Sequence, residues 1–92
     1  MRLDLFLKAS RLILRRSLAQ DFCDAGLVKV NNLTAKSSRE IKPGDEIEIN
    51  RRNRKTRVKV LQVPNTKQVS RANATNLYEV LSDEAVDEIF DS

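Results

Sequence analysis

The residues of this chain that could act on another molecule are basic. Lys8, Arg11 and Arg15 follow one another at i+3 and i+7, close to one helical face if a helix persists through them, and Arg15-Arg16 stands at the opening of a second helix. Unpaired backbone N–H groups at a helix start favour an anion, and a guanidinium beside them grips a phosphate through two parallel hydrogen bonds. The spacing marks a phosphate-binding corner, with a solvated helix face of chance charge bias as the alternative. Lys29 and Asn31 share one face of a strand pattern, Lys36 ends the hairpin that follows, and Arg39 comes next, so the sheet edge would extend the basic surface beside the helices. Solubility explains the same residues equally well. Arg2, taken alone, reads as a frayed end. The densest cluster is Arg51, Arg52, Arg54, Lys55 and Arg57, a hairpin tip that would either track a nucleic-acid backbone or protect an exposed turn from aggregation. No aromatic interleaves with these residues, which points away from base stacking on single strands and toward structured RNA.

Other chemistry is excluded by composition. The chain has 92 residues, no His, one Cys and two Gly. Without His, the lone Cys lacks the imidazole that would make it a nucleophile, serine triads have no base, and the usual zinc spacings are missing. Gly26 and Gly44 alone do not make a phosphate loop. No catalytic residue, metal or cofactor is expected. A single Cys fits a reducing compartment, no apolar run reaches a membrane span, and the start of the chain lacks signal-peptide character, so the expectation is a cytoplasmic protein.

The net charge of +4 conceals a division. Residues 1–60 hold 15 Lys or Arg against 7 Asp or Glu, a net +8, whereas residues 61–92 hold 2 against 6, a net −4. An excess of that size in the front half calls for a polyanionic partner.

The elements that would position these charges follow from periodicity. Leu3, Phe6, Leu7 and Leu14 set a first helix over about 3–11, with Asp4 in the first turn able to pair with Lys8. Leu12-Ile13-Leu14 breaks the stripe and reads as a connector tucked onto the core. A second helix runs from about Arg16 to Ala25, with Leu18, Ala19, Phe22 and Cys23 inward and Gly26 ending it in the left-handed conformation. Cys23 is expected as a small buried thiol. Val28 and Val30 then alternate with Lys29 and Asn31, Asn31-Asn32 can supply the positive φ angles of a hairpin, and Leu33, Thr34 and Ala35 return. Ile47-Glu48-Ile49 and Val58–Val63 add two antiparallel strands around a polar loop, Arg51 to Lys55. Pro64 and Asn65 close the sheet. The expected architecture is two helices, a small antiparallel sheet over residues 1–63, and an acidic tail over 64–92 that is helical or disordered.

Taken together, Arg2-Leu3-Asp4, Phe6-Leu7, Ser10-Arg11, Arg15-Arg16-Ser17-Leu18-Ala19, Gly26, Val28-Lys29-Val30-Asn31, Ala35-Lys36 and Lys42-Pro43-Gly44-Asp45-Glu46-Ile47 resemble the S4 RNA-binding domain. The resemblance implies an α+β, S4-like (alpha-L) fold that presents a helix pair and adjoining sheet to structured RNA. Asn32 departs from the pattern, where Gly is usual, but Asn tolerates left-handed geometry. Arg2 and Arg16 match the family's RNA-contacting arginines; Lys8, Arg11 and Arg15 come from spacing. A short chain with Ala72–Tyr78 near its end looks like the stand-alone S4 proteins of the RqcP family, and an acidic tail separates it from the related ribosome-associated fifteen-kilodalton heat-shock proteins, which usually carry a longer basic extension. That resemblance implies a binding factor, monomeric when free, for large-subunit rRNA and peptidyl-tRNA. It would act with an RqcH-type protein during alanine tailing without mRNA. Three other readings stay open: a large-subunit-binding heat-shock factor, an S4 regulator of tRNA or rRNA modification acting in trans, and a protein-interaction module whose acidic end docks a partner through Leu77, Tyr78, Leu81 and Ile89-Phe90.

Overall fold

A computed structural model of the chain describes residues 1–64 and 71–85. Helix α1 spans Leu3–Ala9 and helix α2 Arg16–Asp24. Five strands follow: β1 Val28–Val30, β2 Leu33–Thr34, β3 Glu46–Arg51, β4 Arg54–Val60 and β5 Tyr78–Ala85. They form one antiparallel sheet in the order β2-β1-β3-β4-β5. The α+β architecture of two helices on an antiparallel sheet is thus present.

Strand alternation divides the sheet's faces. Val28 and Val30 of β1, Ile47 and Ile49 of β3, and Val58 and Val60 of β4 are buried against Leu3, Phe6 and Leu7 of α1 and Ala19 and Cys23 of α2. Each such Leu, Ile, Val or Phe side chain contributes roughly 1.5–3 kcal/mol when fully buried. The outer face carries the residues in between, and register places Lys29 opposite Glu48 and Glu48 opposite Arg57, opposite charges side by side.

Three local features came out as the residues dictate. Asn31 and Asn32 hold φ +53° and +72°, the paired left-handed angles of the β1–β2 hairpin turn. Gly26 ends α2 at φ +76°. Cys23 is buried.

Several features differ from expectation: Leu14 of the connector and Leu18 of α2, both expected on the core side, are exposed. Helix α1 stops at Ala9 instead of continuing to residue 11. The Ser10 hydroxyl donates back to the Leu7 carbonyl (3.2 Å) and accepts from the Leu12 N–H (3.5 Å), offering the backbone an alternative to the next helical turn. The polar loop Arg51 to Lys55 shrinks to the two residues 52–53, because the ladder continues to the pair Arg51–Arg54. At the other end β4 stops at Val60, and the Leu61 N–H turns to the Leu77 carbonyl (2.8 Å). Among the described residues beyond 70, Arg71–Ala74 is α-helical, followed by a 3-10 turn Thr75–Leu77 and then β5, which pairs along the whole of β4. Two of the anchors assigned to a docking tail are used internally: Leu77 is buried and Tyr78 packs on the core. Leu81 stays exposed, and Ile89-Phe90 lie outside the described residues.

Burial, with Asp4 and Asp24 adding negative charge, pushes the Cys23 thiol up to about 11. At pH 8 only about one thiol in a thousand is then ionised, and thiolate is the reactive form. Alkylation by iodoacetamide at pH 8 should therefore be negligible in the folded chain and should rise to the rate of a free thiol once denaturant unfolds it. Rapid labelling under native conditions would contradict this burial.

Candidate nucleic-acid interface

Asp4, in the first turn of α1, has a fully buried side chain. Its Oδ2 accepts hydrogen bonds from Gln20 Nε2 at 2.9 Å, Arg16 Nε at 3.2 Å and Arg2 Nη2 at 3.3 Å, and its Oδ1 accepts from the Leu5 N–H at 2.8 Å. Arg2 Nε lies 3.3 Å from Oδ1. Lys8, the i+4 partner that helical spacing assigns to Asp4, is not among these contacts. Burial pushes the Asp4 carboxyl upward, but the hydrogen bonds from Gln20, Arg16 and Leu5 and the charge of Arg16 outweigh it and hold the group below the usual carboxylate range.

The guanidinium groups on this carboxylate are not buried with it: the Arg2 and Arg16 side chains keep 44% and 39% of their exposure. Each has five N–H donors, and Arg16 commits only Nε to Asp4. The clamp therefore fixes two cations side by side while leaving donors for an outside anion. Arg2 is no frayed end. The Leu3 N–H donates to the Arg39 carbonyl (2.7 Å), the Asp4 N–H to Ser37 (3.1 Å) and the Ile41 N–H to Met1 (2.9 Å), while Arg2 itself bridges to Glu40.

Where α1 ends, Arg11 takes φ +61°, its N–H donating to the Lys8 carbonyl (3.0 Å). Lys8, Arg11 and Arg15 consequently do not share a helical face: Lys8 is half-buried on α1, Arg11 sits exposed in the left-handed bend, and Arg15 is the exposed N-cap of α2. That N-cap makes no side-chain hydrogen bond, and no acidic residue lies in the first turn of α2. The N–H groups of Arg16, Ser17 and Leu18 at this helix start have no intrahelical acceptor, the arrangement that favours an anion. The basic residues expected to form a phosphate corner are thus placed by a bend and not by a helical stripe.

The sheet residues fare differently. Lys29 alternates with the buried Val28 and Val30 and therefore faces away from the helices, in register with Glu48. The Asn31 side chain is occupied by the start of β3, donating from Nδ2 to Asp45 (3.2 Å) and accepting from the Glu46 N–H (3.0 Å). Lys36 is exposed near the segment that flanks the N-terminus. The dense basic cluster is answered from within: Arg54 pairs with Asp83 (2.9 Å), Lys55 with Glu48 (3.8 Å) and Arg57 with Glu46 (3.8 Å). The helix side adds exposed cations of its own, Arg2, Arg11 and Arg15, to those exposed elsewhere, among them Lys36, Arg39, Lys42 and Lys59. Asp4 and Gln20 are the site residues that spacing missed. Their only advance signal was an acidic residue set between basic neighbours.

The S4 domain family model matches residues 1–47. Over 88 residues the chain is 41% identical to the RQC P-site tRNA stabilizing factor of Streptococcus pneumoniae, covering 96% of this chain and 98% of that one. It is 40% identical over 88 residues to the protein of the same name from Bacillus subtilis, covering 96% and 100%. Among solved structures, the trimeric structure of heat shock protein 15 from Vibrio cholerae superposes with a TM-score of 0.79 at 25% identity, over 89% of this chain and 82% of that one.

Two outcomes follow from the geometry. The folded-state pKa of Asp4 lies below the unfolded one, so the clamp contributes fully above about pH 3.9 and is lost as pH falls through the lowered value. Asp4→Asn should lose roughly 1–3 kcal/mol at pH 7 and flatten the fall in stability below pH 4, as measured by denaturant unfolding across pH. An unchanged acid limb would show that Asp4 is not the group responsible. Arg15→Ser supplies the missing cap: α2 should gain about 1 kcal/mol, seen as a higher Tm, while affinity for structured RNA falls.

Proposed function

Because the chain belongs to the S4 domain family, and within it to the family of RQC P-site tRNA stabilizing factors, we propose that it is an RNA-binding factor of bacterial ribosome-associated quality control. It binds the large ribosomal subunit in the cytoplasm and stabilises peptidyl-tRNA there, with an RqcH-type protein, while alanine is added to the stalled chain. The free chain is a monomer, and it is not an enzyme. Residues 1–63 carry the RNA-binding surface.

The observation that carries this reading is the Asp4 clamp. A guanidinium free in solvent loses rotamer freedom when it grips a phosphate, at roughly 0.5–1.5 kcal/mol per side chain. Arg2 and Arg16 are ordered beforehand by one buried carboxylate, so two side chains are spared most of that loss, worth about tenfold or more in affinity. The sign of the local charge stays right: two arginines on one aspartate leave a surplus of +1, joined by the nearby Arg15 and the start of α2. Such a surface reads backbone shape and charge, and base identity little.

The mechanism is positional. An RNA-bound factor shifts the tRNA toward the placement it binds better by only as much as its differential affinity for that placement. A preformed double grip suits this task, since it meets phosphates in one arrangement and is strained by others. Bond-making remains with the ribosome, in keeping with a site of arginines and one low-pKa carboxylate that holds no group able to exchange protons near neutrality.

Arg16→Ala should weaken binding to purified large subunits carrying peptidyl-tRNA by about tenfold at physiological salt and reduce the slope of log affinity against log salt by about one unit. Wild-type affinity in this variant would remove the clamp from the binding site. Co-purification of the chain with large subunits that lack peptidyl-tRNA would leave RNA binding intact and refute the quality-control role.

A further inference from the structure

Arg51 belongs by sequence to the basic hairpin β3–β4, yet its side chain is half-buried and reaches into the helical layer. Nη2 donates to the Leu12 carbonyl at 2.6 Å and Nη1 to Thr56 Oγ1 at 3.3 Å. Thr56 lies on the buried face of β4, and its hydroxyl donates to Asp83 Oδ1 of β5 at 3.1 Å, an oxygen also held by Arg54 at 2.9 Å. A single line of hydrogen bonds thus runs from the edge strand β5 through β4 and β3 to the α1–α2 connector.

The connector is where such a brace matters. Leu12 follows Arg11, a non-glycine residue at φ +61°, and precedes the buried Ile13, whose N–H donates to the Leu7 carbonyl at 3.1 Å. A residue held in the left-handed region persists only where its surroundings over-determine it. The Leu12 carbonyl lies outside both helices, so no helical ladder fixes it. The Arg51 guanidinium does so, with the directionality of a planar fork whose two ends are held by different elements.

We propose that Arg51 is a positioning residue for the RNA-facing connector, setting the placement of Arg11 and Arg15 by holding the Leu12 carbonyl between the helices and the sheet, with Thr56 and Asp83 bracing it from behind. This rests on the RNA-binding reading above. Both Nη atoms of Arg51 point inward, so the role assigned to it here is positional. Lys cannot replace it: one ammonium is a point donor and cannot span the Leu12 carbonyl and the Thr56 hydroxyl in the same fixed plane.

The test has a free-protein arm and a binding arm. In the free protein, Arg51→Met and Arg51→Lys should speed amide hydrogen exchange at Leu12 and Ile13 while leaving the β1–β3 ladder protected; unchanged exchange at both amides overturns the proposal. In the binding arm the probe is purified large subunits carrying peptidyl-tRNA. Both variants should bind about tenfold more weakly, a coupling within the range for residues that share a network, and the loss should vanish in an Arg11→Ala/Arg15→Ala background. Losses that add in that background overturn the proposal, as does wild-type affinity in Arg51→Lys, which would mean that charge alone is needed. Thr56→Val, which keeps shape and removes the hydroxyl, should give a smaller loss in the same direction even if Arg51→Met unfolds; no loss counts against the brace. Failure of the wild-type chain to bind removes the functional reading and this inference with it, whereas wild-type binding with every Arg51 variant unaffected removes the inference alone.

Discussion

One buried carboxylate organises the helical side of this molecule. Asp4 has no exposure of its own and takes donors from the N-terminal segment, from the start of α2, from the middle of α2 and from its own helix. An ionised carboxylate in such a place is tolerable only when its lone pairs are filled. The need to fill them draws Arg2, Arg16 and Gln20 to one point, and with them the two helices. Fold and function meet in the same hydrogen bonds: what satisfies the acid also aligns the bases. The pinning of residues 1–4 along 37–41 belongs to the same arrangement, since Arg2 can serve only if the backbone beneath it is fixed.

The second organising fact is where positive charge is left over. By count, the hairpin 51–57 is the most basic stretch of the chain, and by geometry most of its cations have acidic neighbours. Asp83, Glu48 and Glu46 answer Arg54, Lys55 and Arg57, and Arg51 turns inward. Exposed pairs of this kind contribute little to stability, typically below about 1 kcal/mol each. Their larger effect is on the field: Glu48 and Glu46 offset Lys55 and Arg57 on the outer face of the sheet, and Asp83 offsets Arg54 on the face of Thr56.

Much of this was legible in the residues and some was not, for physical reasons. The β1–β2 turn, the end of α2 at Gly26, the inward Cys23 and the alternation of β1, β3 and β4 are local properties, and the S4-like order of motifs fixed their arrangement. The end of α1 was not, because a serine after an alanine is a weak signal until its hydroxyl is seen bonded to Leu7 and Leu12. Strand β5 escaped because it is an edge strand with little burial on either face, so no alternation marks it; its strand form comes from the ladder offered by β4. The clamp and the brace were invisible to spacing. Asp4 and Arg16 are 12 residues apart, and Arg51 and Leu12 are 39 apart.

The left-handed bend at Arg11 has an implication for engineering. Glycine suits that backbone angle better than any residue with a side chain, by about 1–2 kcal/mol, and a search for heat resistance would find it there. The replacement would delete a cation from the surface proposed to bind RNA. Stability and activity are opposed at this residue, so a library selected on melting temperature alone would drift toward robust chains that hold RNA poorly. Design on this scaffold should keep residue 11 fixed and seek its gains on the matched outer face of the sheet.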